Sequence, residues 1–329
     1  MAATIRDIAN AALVSETTIS LAFRPGSRLS AKTRQHVLAV AAKLGYVPNQ
    51  AARDLRLRKS TVIGLIVPDI TNPFYALIAR HATNAARESG YRLFVAESRW
   101  DIATERESLV HLVHAQAGGV LACFCAPESD GGAILRRHRI PCVALDVIPD
   151  AYTGPAATND LRTAGMLAGE HFAQLGARRP ALFVPGADAP RFGGFRDLLD
   201  GFSEALTQAG VGLDRTRIID AEATMEGGVA GFARLMAVAP DTDAIFCGND
   251  LCALGAMQAA DAAGRRVGRD LALLGIDDMP MAGLSRIELS SIRQPVERLS
   301  AAATQMLLGA MQGGVTTPSP LHLPPELVI

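Results

Sequence analysis

Polar and aromatic residues follow several apolar, strand-like runs in the larger, C-terminal part of the chain. Acids and amides hydrogen-bond hydroxyl groups, and an aromatic face stacks on the apolar side of a sugar ring. The residues that follow these runs, and that could bind a small polar ligand in this way, are Asp69-Ile70-Thr71-Asn72-Pro73-Phe74, Ser98-Arg99-Trp100, Asp146, Pro185-Gly186, Asn249-Asp250 and Asp277-Asp278. Each acid or amide could instead cap the helix that follows its strand, so capping remains the alternative.

Catalytic chemistry has weaker support in the sequence. His111 and His114 stand three residues apart on a predicted helix, but no acid accompanies them at a metal-ligand spacing. No Gly-x-Ser-x-Gly elbow, phosphate-binding loop or dinucleotide-binding motif after the first strand is present. We therefore expect no enzyme activity, no catalytic residues, no metal and no cofactor. An α/β enzyme and a sugar-binding transport protein remain the alternative classes.

Strand-like runs alternate with helical segments from Thr61 onward. Apolar strands joined by helices form parallel sheets, and such sheets bind ligands at the carboxyl ends of their strands. The predicted strands are 62–67, 93–96, 119–125, 141–145, 181–184, 218–220, 244–247 and 271–276. The predicted helices include 74–90, 104–115, 162–176, 195–210 and 250–264. The 329 residues suffice for about two such units and a smaller third one.

The first 60 residues differ from the rest in charge. They contain ten basic and three acidic residues, a net charge of +7, whereas the other 269 residues have a net charge of −8. A small basic unit on an acidic body suggests a polyanionic partner. The N-terminus also lacks the apolar stretch of a secretory signal, and no run is long enough to span a membrane, so we expect a cytoplasmic protein.

The basic segment has the pattern of three short helices. Thr4, Ser15 and Ser30 can each cap a helix, and apolar residues recur at helical spacing behind each cap. Two short helices separated by a tight turn and covered by a third form a helix-turn-helix unit. In such a unit the second helix, here beginning near Glu16, enters the major groove of DNA.

This segment contains the motifs Thr4-Ile5-Arg6-Asp7-Ile8-Ala9, Val14-Ser15, Thr18-Ile19-Ser20, Thr33-Arg34 and Leu44-Gly45-Tyr46-x-Pro48-Asn49. These motifs resemble those of the LacI/GalR family of bacterial transcriptional repressors. The resemblance continues over Gly64–Phe74, Ala244–Gly255, Leu274–Asp278 and Ile292–Pro295. It implies an all-α helix-turn-helix head and a hinge helix, joined to an α/β periplasmic-binding-protein-like core of two parallel-sheet subdomains.

The resemblance also implies boundaries and partners. The DNA-binding domain is expected at 1–47, the hinge helix at 48–60 and the effector-binding and dimerisation core at 61–329. Within that core, the N-subdomain is expected at about 61–159 and 292–320, and the C-subdomain at about 160–291 and 321–329. The expected partners are a double-stranded DNA operator, a sugar-like effector and a second copy of the chain in a homodimer, with a tetramer left open.

Specific residues are matched to the family's DNA contacts by position. The expected DNA-binding residues are Thr4, Ser15, Glu16, Thr17, Thr18, Ser20, Leu21, Arg24, Asn49, Ala52, Arg53, Leu55 and Arg56. Leu55 is expected to wedge between base steps in the minor groove. Two positions depart from the family pattern: Leu13 stands where Gly or Asn is usual in the turn, and Leu21 where Arg or His is usual.

The effector site is expected to include Asp69, Asn72, Phe74, Asp146, Asn249 and Asp277. The family also places an arginine shortly before a Gly-Phe pair, which is Gly201-Phe202 in this chain. Leu198 stands near that arginine position, so either Arg191 or Arg196 is expected to contact the effector.

Overall fold

The computed structural model describes residues 3–24, 26–46, 60–146, 148–185, 193–314 and 319–329. The chain divides into two compact units, Met1–Ser60 and Thr61–Ile329. Within the described parts of the chain, no helix is long and apolar enough to cross a membrane. The predicted hinge helix lies outside the described residues, except for Ser60.

The first unit contains three short helices: α1 (Ile5–Ala12), α2 (Glu16–Ala22) and α3 (Ala31–Lys43). Thr4, Ser15 and Ser30 accept hydrogen bonds from backbone N–H groups in the first turns of these helices, which confirms the predicted caps. One core joins the three helices and consists of Ile8, Ala9, Ala12, Ile19, Ala22, Val37 and Ala41. The basic segment is therefore a folded unit with a hydrophobic core of its own.

The second unit contains two six-stranded sheets. The first sheet consists of β1 (Val62–Val67), β2 (Arg92–Glu97), β3 (Val120–Ala122), β4 (Cys142–Leu145), β5 (Ala156–Asn159) and β11 (Leu321–Leu323). Their order is β11-β5-β4-β3-β1-β2, and all neighbouring pairs are parallel. All their carboxyl ends therefore meet at one edge of the sheet.

The second sheet is also mainly parallel. It consists of β6 (Pro180–Val184), β7 (Ile218–Asp220), β8 (Ala244–Cys247), β9 (Ala272–Ile276), β10 (Ser290–Arg293) and β12 (Glu326–Val328). The order is β12-β10-β9-β8-β6-β7, and only the β10–β12 pair is antiparallel. The α/β architecture with two parallel sheets is thus confirmed.

Helices cover both faces of each sheet. They are α4 (Pro73–Glu88), α5 (Ile102–His114), α6 (Gly131–Arg137), α7 (Leu161–Gln174), α8 (Gly193–Gln208), α9 (Met225–Val238), α10 (Asp250–Ala262) and α11 (Val296–Met311). The helices α4 and α11 pack on one face of the first sheet, and α5 and α6 on the other. The second sheet packs against α7 and α8 on one face and α9 and α10 on the other.

The predicted positions at which the chain passes from one subdomain to the other need correction. The strand Ser290–Arg293 lies entirely in the second sheet, so the chain does not return to the first subdomain at residue 292. Leu321–Leu323 pairs with β5 in the first sheet, whereas the sequence assigned all of 321–329 to the second half. The strand β11 has only three residues, Leu-His-Leu, and the first two are exposed, so the sequence contains no apolar run there. Only its backbone pairing shows to which sheet it belongs.

Candidate functional site

The second helix of the head, α2, presents its first turn to solvent. Glu16 and Thr17 are exposed, while Ile19 and Ala22 point into the core of the unit. The Oγ of Ser15 accepts a hydrogen bond of 3.2 Å from the backbone N–H of Thr18. This arrangement leaves the side chains that open the helix available for contact with another molecule.

The turn that leads to α2 contains a residue in the left-handed conformation. Leu13 has φ 55° and ψ 41°, and its side chain is 90% exposed. The left-handed region normally favours glycine or asparagine, so the leucine is strained without gaining contacts in the core. The structure therefore has the turn geometry expected of a helix-turn-helix, at the position where the sequence departs from the family pattern.

Other predicted DNA-binding residues take part in local structure. The backbone N–H and the hydroxyl of Thr4 donate to Asp7 at 2.8 and 2.7 Å, and these bonds lower the pKa of Asp7. The guanidinium of Arg34 donates to the backbone oxygen of Arg24 at 2.9 Å. Ser20 and Leu21 are half-buried on α2. Five further predicted contacts lie outside the described residues, namely Asn49, Ala52, Arg53, Leu55 and Arg56.

A cavity of about 570 Å³ lies in the second unit. Tyr75, Trp100, Asp146 and Ile148 line it from the first sheet and its connections. Thr158, Asn159, Asp160, Leu161 and Arg162 line it where the chain passes from β5 into α7. Gly194, Phe195 and Asp197 of α8 and His322 of β11 complete the lining. The cavity is large enough for a small metabolite.

Asp146 lies at the carboxyl end of β4 and is, among the described residues, the one member of the expected effector site that lines the cavity. Trp100, which the sequence also offered as a residue following a strand, lines it as well. The hydroxyl of Tyr75 donates to its Oδ2 at 3.2 Å, and the hydroxyl of Thr158 donates to its backbone oxygen at 2.9 Å. Burial raises the pKa of Asp146 to about 6, although the hydrogen bond from Tyr75 opposes this shift. The side chain and the backbone of Asp146 are therefore both held in place by hydrogen bonds.

Asp277 lies behind this lining. Its Oδ1 accepts a hydrogen bond of 2.5 Å from the side-chain amide of Gln294. Burial raises the pKa of Asp277 well above its usual range, and repulsion from Asp250 and Asp146 adds to the increase. Asp277 is thus close enough to Asp146 for their charges to interact, although it does not itself line the cavity.

The remaining predicted effector residues are not in the cavity lining. The oxygens Oδ1 of Asn72 and of Asn249 accept from the backbone N–H groups of Phe74 and Cys252, at 3.0 and 2.8 Å. Asp69 forms a turn with Thr71 through bonds of 2.8 and 2.6 Å. Asn72 and Asn249 therefore cap the helices that follow them, which is the alternative to ligand binding that the sequence left open.

The aromatic and basic candidates are also placed away from the lining. Phe74 is buried in the core and contacts the edge of Tyr75, with 5.1 Å between ring centroids. Arg196 is exposed on α8 and does not line the cavity. Arg191 lies outside the described residues, so the expected arginine contact has no described counterpart.

Asn159 is a lining residue that the sequence did not indicate. It ends β5, a four-residue strand without an apolar run, and its side chain is only 4% exposed. Neither its amide nitrogen nor its amide oxygen has a hydrogen-bond partner among the described residues. A buried amide without partners costs about 1–3 kcal/mol, so its position on the cavity surface favours a role in ligand binding.

Close packing of α7 and α8 fixes one wall of the cavity. A Cβ atom at Gly165 would lie 2.1 Å from the backbone oxygen of Leu198, and one at Gly201 would lie 2.1 Å from that of Arg162. The two helices can approach to this distance only because both positions are glycine. Phe195 and Asp197 are held against the start of α7 as a consequence.

Comparisons with known proteins agree with this geometry. Residues 4–49 match the bacterial regulatory proteins of the lacI family, and residues 170–329 match a periplasmic binding protein-like domain. The ribose operon repressor of Bacillus subtilis (strain 168) is 31% identical over 98% of this chain and 96% of its own length. The chain belongs to the LacI family. It is accordingly a DNA-binding transcriptional regulator and not an enzyme.

Solved structures extend the similarity of this LacI-family chain over both units. The Lac repressor dimer bound to operator and an anti-inducer is 25% identical, with a TM-score of 0.86, over 100% of this chain and 98% of that one. The CelR–cellobiose complex is 27% identical, with a TM-score of 0.75, over 99% and 98% of the two chains. Among the described residues, no three His, Cys, Asp or Glu side chains converge on a possible metal site.

Proposed function

We propose that this chain is a cytoplasmic repressor that binds a double-stranded DNA operator as a homodimer and changes its operator affinity when a sugar-like molecule binds in the cavity. The observation that supports this most strongly is the lining itself, in which Trp100 accompanies Asp146 and Asn159. These groups together can stack on a sugar ring and hydrogen-bond its hydroxyls. A tetramer remains the alternative assembly, and cytoplasmic localisation follows from the location of bacterial DNA.

The head supports the DNA-binding part of the proposal. Glu16 and Thr17 are exposed at the start of α2, where helix-turn-helix proteins contact base edges. A glutamate can accept from cytosine N4, and a threonine hydroxyl can bond several base edges. We propose 1–47 as the DNA-binding domain, 48–60 as the hinge and 61–329 as the effector-binding and dimerisation core.

Relatives support the sugar-like effector. One is named a ribose operon repressor, and one solved structure is a complex with cellobiose. In this chain, Asp146 lies in the cavity, Asp277 lies behind it, and Asn159 offers unpaired polar atoms. We propose these three residues as the polar core of the effector site.

Selection from a random DNA library with the full chain tests the proposal. We expect a selected duplex to bind about a thousandfold or more tightly than a scrambled duplex of the same length. Fluorescence anisotropy against a panel of pentoses, hexoses and disaccharides should then identify a sugar that changes operator affinity by about 5- to 150-fold. Equal binding of selected and scrambled duplexes would refute sequence-specific DNA binding. A panel in which no sugar changes operator affinity would refute the sugar-like effector.

A matched pair of variants assigns base recognition to α2. Glu16→Ala is expected to change the preferred bases in a repeated selection, because its carboxylate opens the exposed helix. Gln35→Ala, an exposed residue of α3 in the same unit, is expected to leave the selected sequence unchanged. An unchanged preference in Glu16→Ala would show that this side chain does not read a base.

A further inference from the structure

The described lining of the cavity has an excess of negative charge. Asp146, Asp160 and Asp197 face it, and the basic side chains among the described lining residues are Arg162 and His322. Arg162 forms an ion pair with Glu204, so its charge is already compensated. An anionic ligand would be repelled by such a lining, whereas a cationic group would be attracted.

Local contacts do not neutralise these acids. Asp160 accepts from the backbone N–H and the hydroxyl of Thr163 at 3.0 and 2.7 Å, and both donors are uncharged. Asp197 is exposed on α8 and has no ion pair among the described residues. The excess therefore belongs to the folded site and is not a property of composition alone.

Asn159 gives an independent indication of a ligand. Its side chain is 96% buried, it lines the cavity, and both of its polar atoms lack partners among the described residues. A buried amide oxygen can accept from an ammonium or hydroxyl group, and the amide nitrogen can donate to a ring or hydroxyl oxygen. This combination fits a ligand that has both kinds of group.

Two aromatic rings stand beside the acids. Tyr75 and Trp100 meet edge to face with 6.0 Å between their centroids and an interplanar angle of 67°. Trp100 is 45% exposed, and the hydroxyl of Tyr75 bonds to Asp146. Aromatic faces next to carboxylates attract cations, because the ring quadrupole and the full charges act in the same direction.

We propose that the effector carries a protonated amine, and that amino sugars are the class of ligand this cavity selects over neutral sugars. The inference rests on the proposed function, since it specifies the ligand of that site. The amine lies between Asp146, Asp197 and the aromatic pair, and Asn159 bonds to a neighbouring hydroxyl. The acids of the described lining disfavour phosphorylated and carboxylated sugars.

Calorimetry with matched sugars tests this proposal on the full chain. The probes are D-glucosamine, D-galactosamine and D-mannosamine, each beside its neutral hexose and its N-acetyl form, at about pH 6.5, where a sugar amine is protonated. We expect at least one amine to bind about tenfold or more tightly than both of its uncharged counterparts. A tenfold gain in affinity is about what one ion pair between the amine and a partly solvated carboxylate contributes.

A pair of variants of one helix identifies the acid involved. Asp197→Asn is expected to reduce the preference for the amine over its neutral hexose by about tenfold. Asp200→Asn, an exposed acid of α8 outside the lining, is expected to leave the preference intact. An unchanged preference in Asp197→Asn would overturn the assignment of the amine to this side of the cavity.

Failure of this inference can be distinguished from failure of the proposed function. Equal or tighter binding of the neutral hexoses overturns the inference, but a neutral sugar that also changes operator affinity supports the proposed function. Absence of binding by every amine likewise overturns the inference. The selection of operator DNA is carried out without any sugar, so its outcome does not depend on which sugars bind.

Discussion

Asn159 and Asn249 are buried to almost the same extent and both end or follow a strand, but their amides have different surroundings. Asn159 is 4% and Asn249 5% exposed. Asn249 donates to the backbone oxygen of Ala223 at 2.9 Å and accepts from Cys252 at 2.8 Å, whereas Asn159 has no partner among the described residues. The first pattern is that of a structural cap, and the second agrees with the ligand-binding role that we propose for Asn159.

We predict opposite effects of removing these two amides. Asn159→Ala is expected to keep or raise the free energy of unfolding and to weaken binding of the active panel sugar by about tenfold, because only the ligand satisfies the amide. Asn249→Ala is expected to lower the free energy of unfolding by about 1–2 kcal/mol through loss of the cap. Urea unfolding and calorimetry measure the two quantities. A large loss of stability in Asn159→Ala with unchanged sugar affinity would contradict this assignment.

The buried acids make stability depend on pH in a definite direction. Burial and repulsion from Asp250 and Asp146 raise the pKa of Asp277 in the folded chain above its unfolded value. The folded state then binds more protons than the unfolded state between those two values, so the free energy of unfolding falls as pH rises through this window. Asp277→Asn keeps an oxygen that can accept from Gln294 and removes the charge.

We therefore predict that Asp277→Asn raises the urea midpoint at about pH 8 and that this gain shrinks toward about pH 5. The same exchange at the exposed acid Asp261 serves as the control. A gain that is larger at the lower pH would mean that Asp277 is stabilised as an anion in the folded chain.

At the scale of elements, the wall formed by α7 and α8 depends on glycine. Gly201→Ala would place a Cβ atom 2.1 Å from the backbone oxygen of Arg162, and a backbone oxygen cannot move without moving the helix. We predict a loss of about 1–3 kcal/mol in the free energy of unfolding, together with weaker sugar binding. Gly309→Ala in α11 meets no atom within 4 Å and is expected to stabilise the chain by about 0.5–1 kcal/mol. Equal effects of the two variants on urea unfolding would refute this packing argument.

Long apolar strands and strongly periodic helices were predictable from the sequence. The strands 218–220 and 244–247 agree with the structure to the residue, and β1 does as well. The strand predicted at 119–125 is shorter, at Val120–Ala122. Cys123 still donates its backbone N–H to Ile66 of β1 at 2.9 Å, but the backbone N–H of Cys125 donates to the carboxylate of Glu105 at 2.7 Å, so the buried chain has left the sheet there. An apolar run in the sequence can therefore be longer than its strand, because residues after the end of the strand are buried as well.

Short strands and glycine-rich helices were not predictable in this way. β5 and β11 have three or four residues and no apolar run, so only sheet pairing defines them. The helix α9 contains Gly227, Gly228 and Gly231, which lower its helical propensity but allow close contact with Glu222 and Cys252. Because β5 was missed, the sequence could indicate Asp146 in the cavity but not Asn159.

The whole molecule combines a basic head with an acidic body that contains the cavity. The first 60 residues have a net charge of +7 and the other 269 of −8, so nonspecific attraction of DNA is confined to the head. Regulation requires that the cavity and the head influence each other, although they belong to different units. Such coupling is reciprocal, since each ligand must change the affinity of the other by the same factor.

Reciprocal titration tests this central claim most directly. Operator affinity of the full chain is measured without and with a saturating concentration of the active sugar, and sugar affinity without and with saturating operator. We predict the same factor in both titrations, about 5- to 150-fold, and a loss of the sugar's effect in Asn159→Ala at a concentration that saturates the parent chain. Sugar affinity that is identical with and without operator would contradict the account, because the cavity would then have no influence on DNA binding.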